Sequence, residues 1–422
     1  MSLPLAGIRV LDLSRLLPGG FCSLLLADFG AEVLKVEDTG MGDYIRWSPP
    51  FYEGPPDADN SDKSALFLSL NRNKRSIRID LKNEHGCEAL LALVAEHDVV
   101  LESFRPGVLD RLGVGYERMR EVNPGIVYCA ISGYGQSGPK REASGHDMNY
   151  LGLVGLLGLT GERDGAPVQA AGQIADLGGG ALMAAFGIMA ALRERDGGGR
   201  AGFESHGSGE GQIVDVSMAD GALSWLAMVA GAYFADGVSP QRGDLPLAGS
   251  LICYRPYECS DGWVTLGALE PKFWQAWCSG VGHDELIEHQ FKGPGSQAHQ
   301  QVCEIFKSRT RDQWQQFAAE HDCCLEPMLA LDEALESELV KAREMVVTLE
   351  QPGVQGGVRQ LGLPIKLTRT PGEHNRLPGP ALGEHTEQAL AEAGYSPKQI
   401  EELLEQGAVA ARTGTPQGSF LA

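Results

Sequence analysis

The stretch Ile8-Arg-Val-Leu-Asp-Leu-Ser-Arg-Leu-Leu-Pro-Gly-Gly-Phe-Cys-Ser-Leu-Leu-Leu-Ala-Asp-Phe-Gly-Ala-Glu-Val-Leu-Lys-Val-Glu37 decides the fold class. Its first six residues, Ile8 to Leu13, read as a strand. Pro18 has the fixed φ that suits a first helical turn, and with the two glycines after it opens an apolar helix running through Leu26. Residues 31–37 read as a second strand. Strand, helix and strand in so short a span require a crossover connection, and a crossover makes the two strands parallel.

Further strands follow at residues 76–81, 99–102 and 126–132, with a helix over 84–96 whose leucines and alanines share one face. This alternation predicts an α/β protein, a parallel sheet with helices on its faces. An Ala/Gly/Met-rich helix is expected over 178–195, then an exposed Gly/Ser-rich loop over 196–211. From about Gly249 the pattern becomes strand, turn, strand (Ile252-Cys-Tyr254, Ser260-Asp-Gly262, Trp263-Val-Thr-Leu266), followed by amphipathic helices. That change predicts a second, smaller α+β domain. Proline-rich sequence over 362–380 reads as an extended connection, and 386–406 as a helical pair. These breaks separate a first domain over 1–200, a linker over 201–245, a small domain over 246–354 and, after the helical pair, a flexible tail over 407–422.

A chain of 422 residues exceeds what one hydrophobic core usually supports, which agrees with two domains. Its 35 Lys and Arg against 56 Asp and Glu leave a net charge of −21. Such a chain repels nucleic acid and anionic membranes, so neither is expected as a partner. An anionic ligand needs a local basic patch. Nine cysteines without a C-x-x-C pair point to reduced thiols rather than a disulfide framework, and no metal site is expected. With neither a leader-like start nor an apolar run long enough for a membrane span, the expected location is cytoplasmic.

Three places stand out chemically. Gly133-Tyr-Gly-Gln-Ser-Gly138 matches G-x-G-x-x-G after a strand, but Pro139 and a polar run follow it where a dinucleotide fold needs an apolar helix. A turn or substrate loop is the better reading. The scarce basic residues gather as Arg72, Lys74, Arg75 and Arg78, then Lys82, then Arg105 and Arg111. The last three follow the C-terminal ends of strands, where parallel sheets present ligands. Finally, Gly145-His-Asp-Met-Asn-Tyr150 opens an apolar helical run, and the positive end of a helix favours a neutral His146 suited to a base. Asp176, ahead of three glycines, is a carboxylate with bare backbone beside it that a bulky ligand can approach.

Residues 5–14, 26–37 and 74–82, Phe104-Arg-Pro-Gly107 and residues 132–139 together resemble the class III CoA-transferase superfamily. Gly145-His-Asp-Met-Asn-Tyr150 and Gly267-Ala-Leu-Glu-Pro-Lys-Phe273 resemble its α-methylacyl-CoA racemase branch. The resemblance implies a large Rossmann-like domain built from both chain ends, residues 1–200 and 355–406, a crossover helix within 201–245 and a smaller α+β domain over 246–354, in an interlocked homodimer. It implies His146 and Asp176 as the acid/base pair, with Glu270 hydrogen-bonded near His146. It further implies Ile79, Lys82, Arg105 and Arg111 as contacts to CoA, and Tyr150 near the thioester of an acyl-CoA. No cofactor beyond the substrate's CoA moiety is implied.

The chemistry needs such a set: one group on each face of the α-carbon, each titrating near neutrality. The transferase branch uses the aspartate as a nucleophile and places a glycine-rich loop where this chain has Glu270-Pro271. Asp38 stands where many relatives place a CoA-phosphate arginine, which Arg46 or Arg72 is expected to replace. Ser103 replaces a common Asn, and the loop over 196–211 is longer than usual.

Overall fold

The computed structural model describes residues 2–54, 62–198 and 206–412. It divides into two compact units, residues 1–154, 172–225 and 341–422, and residues 155–171 and 226–340.

The first unit is built on β1 (Arg9–Asp12), β2 (Glu32–Glu37), β3 (Lys74–Ile79), β4 (Val99–Glu102), β5 (Val127–Ser132), β6 (Ile213–Ser217) and β7 (Val409–Ala410). They lie in the order β7-β3-β2-β1-β4-β5-β6. Every pair is parallel except β7 with β3, and Leu11 of β1 sits level with Leu34 of β2 and Val100 of β4. The helices of this unit are α1 (Leu17–Asp28), α2 (Ala65–Asn71), α3 (Glu84–Ala95), α4 (Val108–Arg111), α5 (Tyr116–Val122), α6 (Asp147–Leu153), α7 (Leu182–Asp196), α8 (Met218–Ser224), α9 (Thr386–Glu392) and α10 (Pro397–Glu405).

Both faces of the sheet are covered, which is why β4 and β5 are near-continuous apolar runs and the charges carried by β1, β2 and β3 have to find partners inside. On one face Leu11, Leu34, Ile77 and Val100 join a core with Leu90, Met119, Leu390 and Leu403. Each such side chain taken wholly from water stabilises the fold by roughly 1.5–3 kcal/mol. On the other face α1 lies on β1, β2 and β4, while α7 lies on β5 and β6. α1 is apolar all round because it is enclosed, with nine of its residues buried. It starts so close to the segment leaving β1 that a Cβ on Gly19 would fall 2.1 Å from that of Ser14.

Between the strands and helices of this unit runs a chain of buried charges. Glu37 holds Arg46 through two 2.8 Å bonds, Asp28 holds Arg72 at 2.7 Å, and Lys35 meets Asp43 at 2.9 Å. Lys74 is enclosed beside Asp12, and burial lowers its ammonium to about 8. Arg78 donates to the carbonyls of Thr39 and Gly40, and Arg75 pairs with Glu392 at 2.8 Å. The basic cluster over 72–78 therefore serves the interior rather than an anion. Arg46 and Arg72 cannot stand in for the arginine missing at Asp38, because both guanidiniums are buried against their own carboxylates.

The second unit carries an antiparallel sheet of Tyr254–Cys259, Gly262–Gly267 and Leu325–Pro327. Helices Pro271–Val281, Gln297–Lys307 and Arg311–Glu320 close over it. Its core is aromatic: Trp274 stacks on Trp277 at 5.2 Å and Tyr257 on Phe306 at 4.5 Å.

Several expected boundaries move. The stretch after the glycine-rich loop is β6, a sixth parallel strand, so residues to 225 belong to the first unit rather than to a linker. Residues 341–354 also belong there, because Val346–Leu349 pairs with Val358–Leu361. Residues 155–171 leave it for the second unit. The supposed tail contributes β7, which pairs with Arg78 and Ile79; residues 413–422 lie outside the described ones. Within the loop over 196–211, residues 199–205 do as well. Among the described residues one helical stretch, Ile174–Asp196, is long and apolar enough to cross a membrane, an 18-residue window of it having mean hydropathy 1.6, contrary to the expectation of none. It is part of the first unit's interior: Gly178 to Ala181, Ala184, Ile188, Ala191 and Leu192 are packed inside.

Candidate functional site

The strand order reverses between β1 and β4: the chain leaves β1 toward β2 on one side and continues from β4 to β5 on the other. Open parallel sheets bind ligands in the crevice outside the C-terminal ends of such strands. A cavity of about 1060 Å³ lies there, walled by residues 15–18 after β1, 103–106 after β4 and 131–134 at the end of β5. Leu16 adopts φ 60, and its amide donates to the Asp43 carboxylate at 3.2 Å. Ser103 accepts the Arg15 amide at 3.3 Å and so ties the β1 and β4 loops.

His146 lines the cavity as the N-cap of α6, exposed, its backbone amide donating to the Asn149 side chain at 3.0 Å. Asp176 lines the same cavity from the π-helical turn Ile174–Ala181. That turn packs on α8 at backbone distance, since a Cβ on Gly179 would fall 2.6 Å from the Met218 carbonyl oxygen. Burial pushes the Asp176 carboxyl up to about 6, the like charge of Asp147 adds to the rise, and His146 opposes it. A carboxyl at that value exchanges protons readily at neutral pH.

Tyr150 forms part of the wall, its hydroxyl donating to the Gly145 carbonyl at 2.5 Å and its ring meeting Tyr134 edge-on at 5.1 Å. Burial first, then Asp176, raise its hydroxyl to about 12, so it is a neutral phenol. Glycine at 133 is required by this packing: a Cβ there would stand 2.5 Å from the Tyr150 ring. The G-x-G-x-x-G segment is a turn, with Gly135 and Gly138 at φ 87 and the Gln136 amide donating to Asp215. The next helix begins only at Asp147, so no dinucleotide turn is present.

Arg105, Arg15 and Arg141 bring positive charge to the rim. Arg15 is paired with Asp38 at 2.9 Å. A Cβ on Gly107, at φ 79, would lie 3.0 Å from Arg141 and 3.4 Å from Arg111, so both guanidiniums gather over that glycine.

Of the residues expected at the site, His146, Asp176, Arg105 and Tyr150 share this cavity, whereas Ile79, Lys82 and Arg111 are not in its wall. Ile79 is a core residue 1% exposed. It ends β3, two strands away from the reversal, which explains its distance from the crevice. Lys82 is exposed just beyond it. Glu270 belongs to the second unit, exposed at the N-cap of helix Pro271–Val281. Arg15, Arg141, Tyr134, Asn149 and Asp147 were not singled out from sequence. Asp147 and Asn149 carried a signal, as neighbours of His146 in one motif, and so did Tyr134, inside the G-x-G-x-x-G stretch.

Residues 5–386 match the family model described as CoA-transferase family III. The α-methylacyl-CoA racemase of Mus musculus is 33% identical over 94% of this chain and 96% of its own. The succinyl-CoA:glutarate CoA-transferase of the same organism is 31% identical over 96% and 90%. A solved CAIB/BAIF family protein from Brucella suis superposes with a TM-score of 0.77, at 30% identity, over 93% of this chain and all of that one.

Proposed function

Because this chain belongs to CoA-transferase family III, we propose that it binds acyl-CoA thioesters and racemises the carbon next to the thioester carbonyl. The observation that carries this reading is the presence of His146 and Asp176 in one cavity, with the Asp176 carboxyl lifted to about 6. One group takes the α-proton and the other returns one to the opposite face, each contributing roughly 10²–10⁴-fold. Glu270 is proposed to support His146, with Tyr150 beside the thioester. The amides of Ala175 and Asp176 are occupied by Asp147, which leaves the first amides of α6 for the enolate oxygen. CoA is proposed to leave the cavity past Arg105 toward Arg111 and Lys82, with Ile79 beneath it. Arg15 and Arg141 add positive charge along that path. The reaction uses the substrate's own CoA and no further cofactor, and the nine free cysteines suit the cytoplasm.

A second reading has a specific observation behind it: CoA-transferases are as similar to this chain as racemases are. There Asp176 attacks the thioester carbonyl, and CoA thiolate leaves as a mixed anhydride forms. One experiment separates the two. The protein is incubated in D₂O with a 2-methylacyl-CoA, with hydroxylamine added during turnover. Deuterium at the α-carbon with Asp176 unmodified is expected. A trapped Asp176 adduct without α-exchange would sink the racemase reading in favour of the transferase.

We also propose a homodimer. Phe186, on α7, is 75% exposed and Trp225 52%, and in the second unit Met228 and Phe234 are 79% and 80% exposed. Large apolar side chains so open to water call for a covering surface, and the proposed occupant is a second copy of the chain. The acidic net charge argues against nucleic acid or an anionic membrane as an alternative partner.

A further inference from the structure

Asp147 follows His146 in sequence yet does not face the cavity; it is only 9% exposed. One of its carboxylate oxygens accepts the amide of Ala175 at 2.7 Å and that of Asp176 at 3.1 Å. The opening amides of a helical turn have no partner within it, and a buried amide left unpaired is costly. A single carboxylate thus satisfies the start of the turn that carries Asp176, while its own backbone begins the helix capped by His146. The two segments are far apart in the chain and meet through this oxygen.

We propose that Asp147 is a positioning residue, holding the helix of His146 and the turn of Asp176 in one arrangement. This rests on the reading of those two residues as proton carriers. The charge of Asp147 acts as well, since it disfavours the anion of Asp176. The titratable groups acting on Asp176 are Asp147 and His146, and Tyr150 in turn responds to it. The elements packed against the turn also carry Cys22 and Asp28 on α1, Tyr128 and Cys129 on β5, Asp215 on β6, Asp220 on α8, and Arg193, Glu194, Arg195 and Asp196 on α7.

The test uses D147N and D147A in the full chain. Asparagine keeps the acceptor oxygen and removes the charge; alanine removes both. Deuterium exchange at the α-carbon is followed against pH. Separately and without substrate, carbodiimide labelling of Asp176 is followed against pH by peptide mass. In D147N the labelling midpoint should fall below its wild-type position, and the acidic limb of exchange on the Asp176 face should fall with it. In D147A, kcat should drop by about 10²-fold at nearly unchanged KM, the signature of misplaced groups rather than lost binding. A D147N midpoint that does not move, or a D147A enzyme with wild-type kcat, overturns the proposal. Should D147A fail to fold, D147N decides alone. If the wild type exchanges no α-proton, the proton-transfer reading fails, while the labelling midpoint still judges Asp147.

Discussion

His146 and Asp176 were both legible in the sequence, one inside a compact motif at a helix start and one ahead of three glycines. Their convergence on one cavity wall was not. Replacing His146 by Ala should slow α-proton exchange from one enantiomer by roughly 10²–10⁴-fold, while exchange from the other persists. Equal loss for both enantiomers in a deuterium assay would contradict the two-face arrangement. In that variant the remaining exchange depends on ionised Asp176. Burial and Asp147 raise that carboxyl to about 6 in the wild type, and loss of the opposing His146 moves it higher still, so the rate should fall about tenfold per unit already below a pH above 6. A flat profile down to pH 5 would place the base elsewhere. Lys82 shows where residue-level reading stops: it lies past a strand end, but which strand ends open on the crevice depends on sheet order, so its place outside the cavity wall, on the path proposed for CoA, was not legible.

At the scale of elements, the unit from β1 through α1 to β2 was readable because Pro18 and the apolar periods leave little choice. β6 and β7 were hidden for a different reason. β6 follows a Gly/Ser-rich loop whose composition masks it, and β7 is a two-residue strand with no period to detect. The basic run over 72–78 misled because charge in sequence says nothing about direction. Glu37 of β2 and Arg46 of the short turn Tyr44–Trp47 form one such inward pair, with the guanidinium 3.6 Å from the Phe67 ring centre. R46M should cost about 3–5 kcal/mol, because it leaves the Glu37 carboxylate buried without its cation. Urea unfolding measures it, and a loss below about 1 kcal/mol would mean that Glu37 is satisfied without Arg46.

For the whole molecule, the exposed apolar side chains of each unit set the expectation of a dimer. Sedimentation equilibrium at micromolar concentration should give twice 45.2 kDa, and a monomer mass would refute it. The sequence by itself determined the fold class, the existence of a second unit and the family, and it singled out the two residues proposed to carry the proton, because strand–helix alternation and short motifs are local properties of the chain. Only the tertiary structure decided which strand ends meet at the reversal of the sheet, that Arg46 and Arg72 point inward, and that Asp147 reaches the amides of Ala175 and Asp176. Those facts depend on strand order and on contacts between residues distant in the chain, which no local pattern encodes.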